Sequence, residues 1–143
     1  MAEKTIAQQI KNNLIAIISM AIAVSSLAYN TWRNEQTEYN RNIRTSSFEI
    51  LMSLAELQLL VDYAFYSESS DKHDPIKGWS YVLYVQDLSQ AVSTSTVQQA
   101  DALHTVWSDH WQDMEKQEAS AKAINKVIDD NRRQILVTLK SLQ

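Results

Sequence analysis

From Asn12 to Trp32 the chain passes through 21 consecutive uncharged residues. As a helix rising 1.5 Å per residue, such a run covers about 31 Å, close to the roughly 30 Å hydrocarbon thickness of a bilayer. Its strictly apolar part is Leu14 to Tyr29, with Ser19, Ser25 and Ser26 inside it. Asn12, Asn13 and Asn30 lie at the ends, Tyr29 and Trp32 stand where an interfacial aromatic belt belongs, and Arg33 closes the segment. The pattern predicts a transmembrane helix over 12–32 after an N-terminal tail, 1–11. A cleaved signal peptide is the alternative: Lys4 and Lys11 form a basic start, and Ser26-Leu27-Ala28 offers a small-residue cleavage site before Tyr29. The helical pattern runs on past that site without Gly or Pro, which favours an uncleaved anchor.

Within the anchor, Asn12, Ala16, Ser19, Ala23, Ser26 and Asn30 are spaced 4, 3, 4, 3, 4. At 100° per residue they fall in an arc of about 80°. Small residues let two helix backbones approach in lipid, and Ser or Asn can hydrogen-bond across the contact. Ala16, Ser19, Ala23 and Ser26 are therefore a candidate self-association face. Ala21, Ser25 and Ala28 make a second small face, so small residues alone do not select the first.

Residues 33–45 are polar and read as a juxtamembrane helix, solvated or resting near lipid headgroups. The densest apolar stretch follows, "SSFEILMSLAELQLLVDYAFY". Ser46 or Ser47 is placed to cap a new helix, with Glu49 in its first turn. Apolar residues surround most of its circumference, which predicts a central helix covered on several sides. Three acids in it disfavour a second membrane span.

"SESSDKHDPIKGW" holds the only Pro and the only Gly of the chain and reads as its one clear loop. Asp74-Pro75 opens the next helix with Pro at its first position. "WSYVLYVQDLSQAV" is read as that helix, although "YVLYV" alone has strand character. Ser93 to Thr96 supply a cap, and beyond Val97 no breaker appears before the end. Positions 107, 114, 121, 128, 135 and 142 hold Trp, Met, Ala, Ile, Ile and Leu, a seven-residue repeat. It suits one long coiled-coil-like helix, or one that bends near Lys116–Ser120.

The expected fold is all-α: an N-terminal transmembrane helix, then an antiparallel helical bundle over 46–143 with a long C-terminal helix. The scarcity of Gly and Pro supports it, because sheets need tight turns that consume those residues. Charge narrows the partners. Residues 1–45 carry five Lys/Arg against three acids, and 46–143 carry eight against fourteen, so +2 and −6 recover the net −4. An acidic body lacks the clustered cations that a nucleic-acid backbone requires. Lys4 and Lys11 before the span and Arg33, Arg41 and Arg44 after it nearly balance. The preference tips slightly to a cytoplasmic C-terminal region.

Catalytic chemistry is thin. With no Cys there is no thiolate nucleophile or thiolate metal site. His104 and His110 are six apart, on opposed rather than matching helix faces, whereas ligands on one helix need spacings of three or four. His73-Asp74 is a pair without a third group. Glu49 and Glu56 lack the Glu-x-x-His motif of di-iron bundles. No catalytic residue, cofactor or metal is assigned. Trp79, Tyr81, Tyr84, Trp107 and Trp111 lie on two helices joined by a short linker and are candidates for a groove or pocket. A core filled with large side chains is the simpler account of them and the one favoured.

An anchor followed by a helical region is similar in layout to the helical sensor modules of bacterial membrane receptors, with no motif behind the likeness. The expected function is a single-pass, membrane-anchored protein-interaction module: scaffold, adaptor or modulator. Its partners are the bilayer through 12–32 and either another protein or further copies of itself. The alternatives are a tethered ligand-binding bundle and, after signal cleavage, a secreted helical protein.

Overall fold

The computed structural model describes residues 6–66 and 74–142. Lys4, residues 67–73 with His73, where a loop is expected, and the Asn12 side chain lie outside that description. Among the described residues the protein is wholly helical: α1 (Ile6–Asn12), α2 (Leu14–Tyr66), α3 (Pro75–Ser89), α4 (Thr94–His110) and α5 (Glu118–Ser141). The chain divides into two compact units, residues 1–39 and 40–143.

In the first unit, Asn13 marks the junction of α1 and α2. Its backbone and side-chain nitrogens both donate to the Gln9 carbonyl. The apolar stretch of α2 is long and apolar enough to cross a membrane, and none of it is buried in the protein. Ile15 is 82% exposed and Met20 70%. In water such a surface is costly. Tyr29 and Trp32 at its end have ring centroids 6.1 Å apart.

Helix α2 runs 53 residues without the start expected at Ser46 or Ser47. No Gly or Pro interrupts it, and the polar residues before Ser46 are adequate helix formers. The N–H groups that a cap would satisfy already have helical partners, so no cap is needed. Ser47 is instead fully buried mid-helix, its hydroxyl without a partner.

The second unit has one hydrophobic core drawn from α2, α3, α4 and α5. From α2 it takes Ile43, Ile50, Leu54, Leu57, Leu60, Val61 and Ala64, with Ser47 and Ser53 among them. The i, i+3, i+4 spacing puts these on one face. Apolar residues of the opposite face stay in solvent: Phe48 is 58% exposed, Met52 65% and Tyr66 73%. The expectation that this helix is covered on several sides is therefore corrected. One side is core and the other is open. Ile43, in the otherwise polar stretch, is 3% exposed and belongs to the core.

Asp74 caps α3 by accepting the Ile76 N–H at 2.9 Å, with Pro75 in the first turn. The "YVLYV" segment is helical, and Val82 and Val85 enter the core. Ser93 caps α4 by accepting the Thr96 N–H at 3.2 Å. Helix α3 packs on α4 and α4 on α5.

The single long C-terminal helix does not form. Helix α4 ends at His110, residues 111–116 turn, and Gln117 is extended at φ −120° and ψ 109° before α5 starts. The seven-residue repeat still marks burial. Trp107, Met114, Ala121, Ile128 and Ile135 are all buried, but they serve two helices. The energetics explain the break. A straight helix leaves the Ala121–Ile135 face uncovered, whereas breaking lets α5 lie on α4. Burying Ile124, Val127, Ile128 and Ile135 contributes about 1.5–3 kcal/mol each. The few helix hydrogen bonds forgone are worth about 1 kcal/mol each net. Asp113 N–H to the His110 carbonyl and Lys116 N–H to the Asp113 carbonyl tighten the turn. His110 Nδ1 and Ser120 Oγ, 3.1 Å apart, tie its two sides.

Candidate functional site

Three surfaces stand out, the first two of them singled out by the sequence. The first is the small-residue face of the apolar segment. Ala16, Ser19, Ala23 and Ser26 all lie on α2 and all are exposed. Leu14, Ile17 and Val24 are exposed around them, so the segment offers small and bulky positions together.

The second is the aromatic region of α3 and α4. Trp79 is central to it. Its ring lies 6.4 Å from Trp107 and 6.4 Å from Trp111, with interplanar angles of 88° and 72°. His104 is 5.4 Å away at 67°. These are edge-to-face contacts, the arrangement favoured by ring quadrupoles. Trp107 is completely buried and its six-membered ring packs directly against Gly78. A Cβ on that glycine would sit inside the van der Waals envelope of Trp107 Cζ2 and Cη2. The indole therefore occupies the space that a groove between these helices would need. Its Nε1–H has no acceptor among the described residues. Tyr81 is half-buried against the core, and Tyr84 is 44% exposed. So Trp79, Trp107 and Trp111 come together, while Tyr81 and Tyr84 lie elsewhere on α3. His104 and His110 are apart, one beside Trp79 and the other bonded to Ser120. Among the described residues no group of three His, Cys, Asp or Glu is arranged to hold a metal.

The third surface is the open face of α2, which the sequence reading did not separate from the core face. Phe48, Met52, Ala55, Leu59, Tyr63 and Tyr66 succeed one another at spacings of 4, 3, 4, 4 and 3, and all are exposed. Near its C-terminal end, Leu59, Asp62, Tyr63 and Tyr66 wall an open cavity of about 360 Å³. Asp62 at its edge is held from two sides. Gln58 Nε2 donates to both its carboxylate oxygens at 3.2 and 3.3 Å, and Asn125 Nδ2 of α5 donates to Oδ1 at 3.2 Å. The signal was available in the sequence. Met52, Leu59 and Tyr66 are seven apart, as are Phe48, Ala55 and Asp62. It was hidden because the core face of the same helix is apolar too.

Deeper in the same unit, Asn131 is 1% exposed, and its Nδ2 donates to the carbonyls of Gln99 on α4 and Val127 on its own helix, both at 2.9 Å. It ties α5 to α4 through a satisfied polar contact in an apolar setting. No protein-family profile matches this chain, and no curated protein or solved structure is significantly similar to it.

Proposed function

We propose that the protein is a membrane-tethered helical interaction module, held in a bilayer through residues 12–32 and presenting residues 46–143, preceded by the juxtamembrane stretch 33–45, as an antiparallel helical bundle. The observation that carries this reading is the contrast within α2. Its apolar stretch is wholly unburied, while the second unit has a core of its own. A chain that can fill a core yet leaves Ile15, Met20 and Leu27 exposed has a second apolar solvent to meet, and the dimensions fit lipid. The short link at Gln90–Val92 supports the antiparallel arrangement of α3 and α4. The acidic body turns the module toward proteins rather than nucleic acid, and the role is scaffold, adaptor or modulator rather than enzyme. The small face at Ala16, Ser19, Ala23 and Ser26 gives the membrane segment a route to self-association. The near-even balance of flanking cations tips slightly toward a cytoplasmic bundle.

Alkaline carbonate extraction with intact-mass measurement tests the reading. The full-length mass in the membrane pellet is expected. A soluble chain beginning near Tyr29 overturns the tether and makes the protein a secreted one.

A ligand-binding bundle is the second reading, favoured by the unpaired, buried Trp107 Nε1–H. An acceptor on a small molecule that enters as the aromatic side chains around Trp107 move aside would satisfy it. A thermal-shift screen on the full chain separates the two: a shift that vanishes in Trp107→Phe supports the pocket.

A further inference from the structure

The open face of α2 in the second unit meets the geometry of a two-helix seam, and we infer that its occupant is the same face of a second copy, packed in parallel. This rests on the tethered-module reading, because two copies anchored with one topology present their helices in the same direction. In heptad terms, Met52, Leu59 and Tyr66 take the a positions and Phe48, Ala55 and Asp62 the d positions. Four of these are exposed apolar side chains and Ala55 is an exposed small one. Asp62 is drawn aside by Gln58 and Asn125, and Tyr63, the next residue, fills out the seam beside it.

Charge selects the partner and its direction. In this register Arg44 is at g and Glu49 at e of the next heptad. In a parallel pair each g side chain meets the e side chain five residues further along the partner. Arg44 and Glu49 are five apart, so each copy offers one cation and one anion to its mate, twice per two-fold pair. Within one helix that spacing is wrong for contact, since ion pairs form at three or four. No salt bridge is made by either residue among the described residues. The exposed stripe presents on the order of 500 Å² per copy, judged from the size of its aromatic and aliphatic side chains. Two copies together reach the roughly 1,000 Å² at which specific interfaces begin. Confinement to one membrane raises the effective concentration and makes a seam of that modest size sufficient. The 3-4-3 spacing of Ala16, Ser19, Ala23 and Ser26 recurs in Met52, Ala55, Leu59 and Asp62, so each segment taken by itself suits a two-helix contact.

The native chain has no Cys, so single cysteines report contacts without background. In membranes holding the full-length protein, Met52→Cys and Leu59→Cys, under mild oxidation, are expected to give a disulfide-linked dimer. Lys122→Cys, at an exposed position of α5, is the control and is expected to stay monomeric. Arg44→Glu and Glu49→Arg should each weaken the Met52→Cys crosslink, and the two together should restore it. Crosslinking no stronger at 52 and 59 than at 122, or a double variant no better than the singles, overturns the second-copy inference. If a different protein is crosslinked at 52 and 59 from the membrane-bound chain, the second copy is again excluded, but the interaction module stands. If the chain leaves the membrane fraction on carbonate extraction, the underlying reading itself has failed.

Discussion

Gly78 is the only glycine in the chain, and it sits in the first turn of α3 against an indole rather than in a connecting turn. Two effects compete when it is replaced by Ala. Helix propensity favours Ala by about 1 kcal/mol. The added Cβ collides with the fully buried Trp107 ring, and forcing extra volume into a packed core costs about 1–3 kcal/mol. Sterics are expected to win, so Gly78→Ala should lower the unfolding midpoint, followed by indole fluorescence in denaturant. A raised midpoint would mean that the Trp107 ring can move aside. Ser47 carries the opposite expectation. Its hydroxyl is buried and unpaired, so Ser47→Ala removes a desolvated polar group and adds helix propensity. A gain on the order of 1 kcal/mol is expected in the same unfolding measurement, and a loss would show that the hydroxyl has a partner such as a buried water.

At the scale of the element, helix starts depend on single side chains. Asp74 and Ser93 each satisfy an otherwise orphaned N–H of α3 and α4. Asp74→Ala and Ser93→Ala should each cost about 1 kcal/mol, while Ser46→Ala, in mid-helix, should not show a cap's loss. Both working caps were legible in the sequence because Asp74 stands directly before Pro75 and Ser93 heads the polar cluster Ser93–Thr96. The expected cap at Ser46 or Ser47 was misplaced for the converse reason. A Ser pair ahead of an apolar run resembles a start, but with no breaker upstream the helix arrives from behind. The seven-residue repeat through Trp107, Met114, Ala121, Ile128 and Ile135 located buried residues correctly but did not itself show the turn at 111–116; the alternative of a bend near Lys116–Ser120 comes close, since Gln117 is extended. Periodicity reports which side chains are buried. It does not report whether they share one axis, and here no Gly or Pro marks the place. The aromatic positions show the same division. Trp79, Trp107 and Trp111 were legible as a group by spacing, but only the contact with Gly78 reveals that Trp107 fills the gap between its helices.

For the whole molecule, the unburied apolar stretch of α2 is long and apolar enough to cross a membrane, and the proposed tether rests on it. Ile22 lies at the middle of the 12–32 segment. Arg at the centre of a membrane helix costs about 2.5–3.5 kcal/mol on insertion, so Ile22→Arg should move chain from the membrane pellet to the soluble fraction in carbonate extraction. Ile22→Val should leave the distribution unchanged. If the arginine variant partitions like the parent, lipid is not what solvates this stretch.

The four tryptophans are unequally shared between the compact units: Trp32 in the first, and Trp79, Trp107 and Trp111 in the second. That apportionment gives the molecule two optical reporters without any label. Brominated acyl chains should dim the Trp32 emission and spare the clustered three, whereas acrylamide added to the aqueous phase should reach Trp111 sooner than the enclosed Trp107. Edge-to-face indoles should also produce a paired positive and negative ellipticity band from excitonic mixing, absent in Trp79→Phe. With residues 12–32 in a bilayer, as proposed, light absorbed by this one polypeptide can thus tell apart loss of that setting from loss of its interior, in a single cuvette.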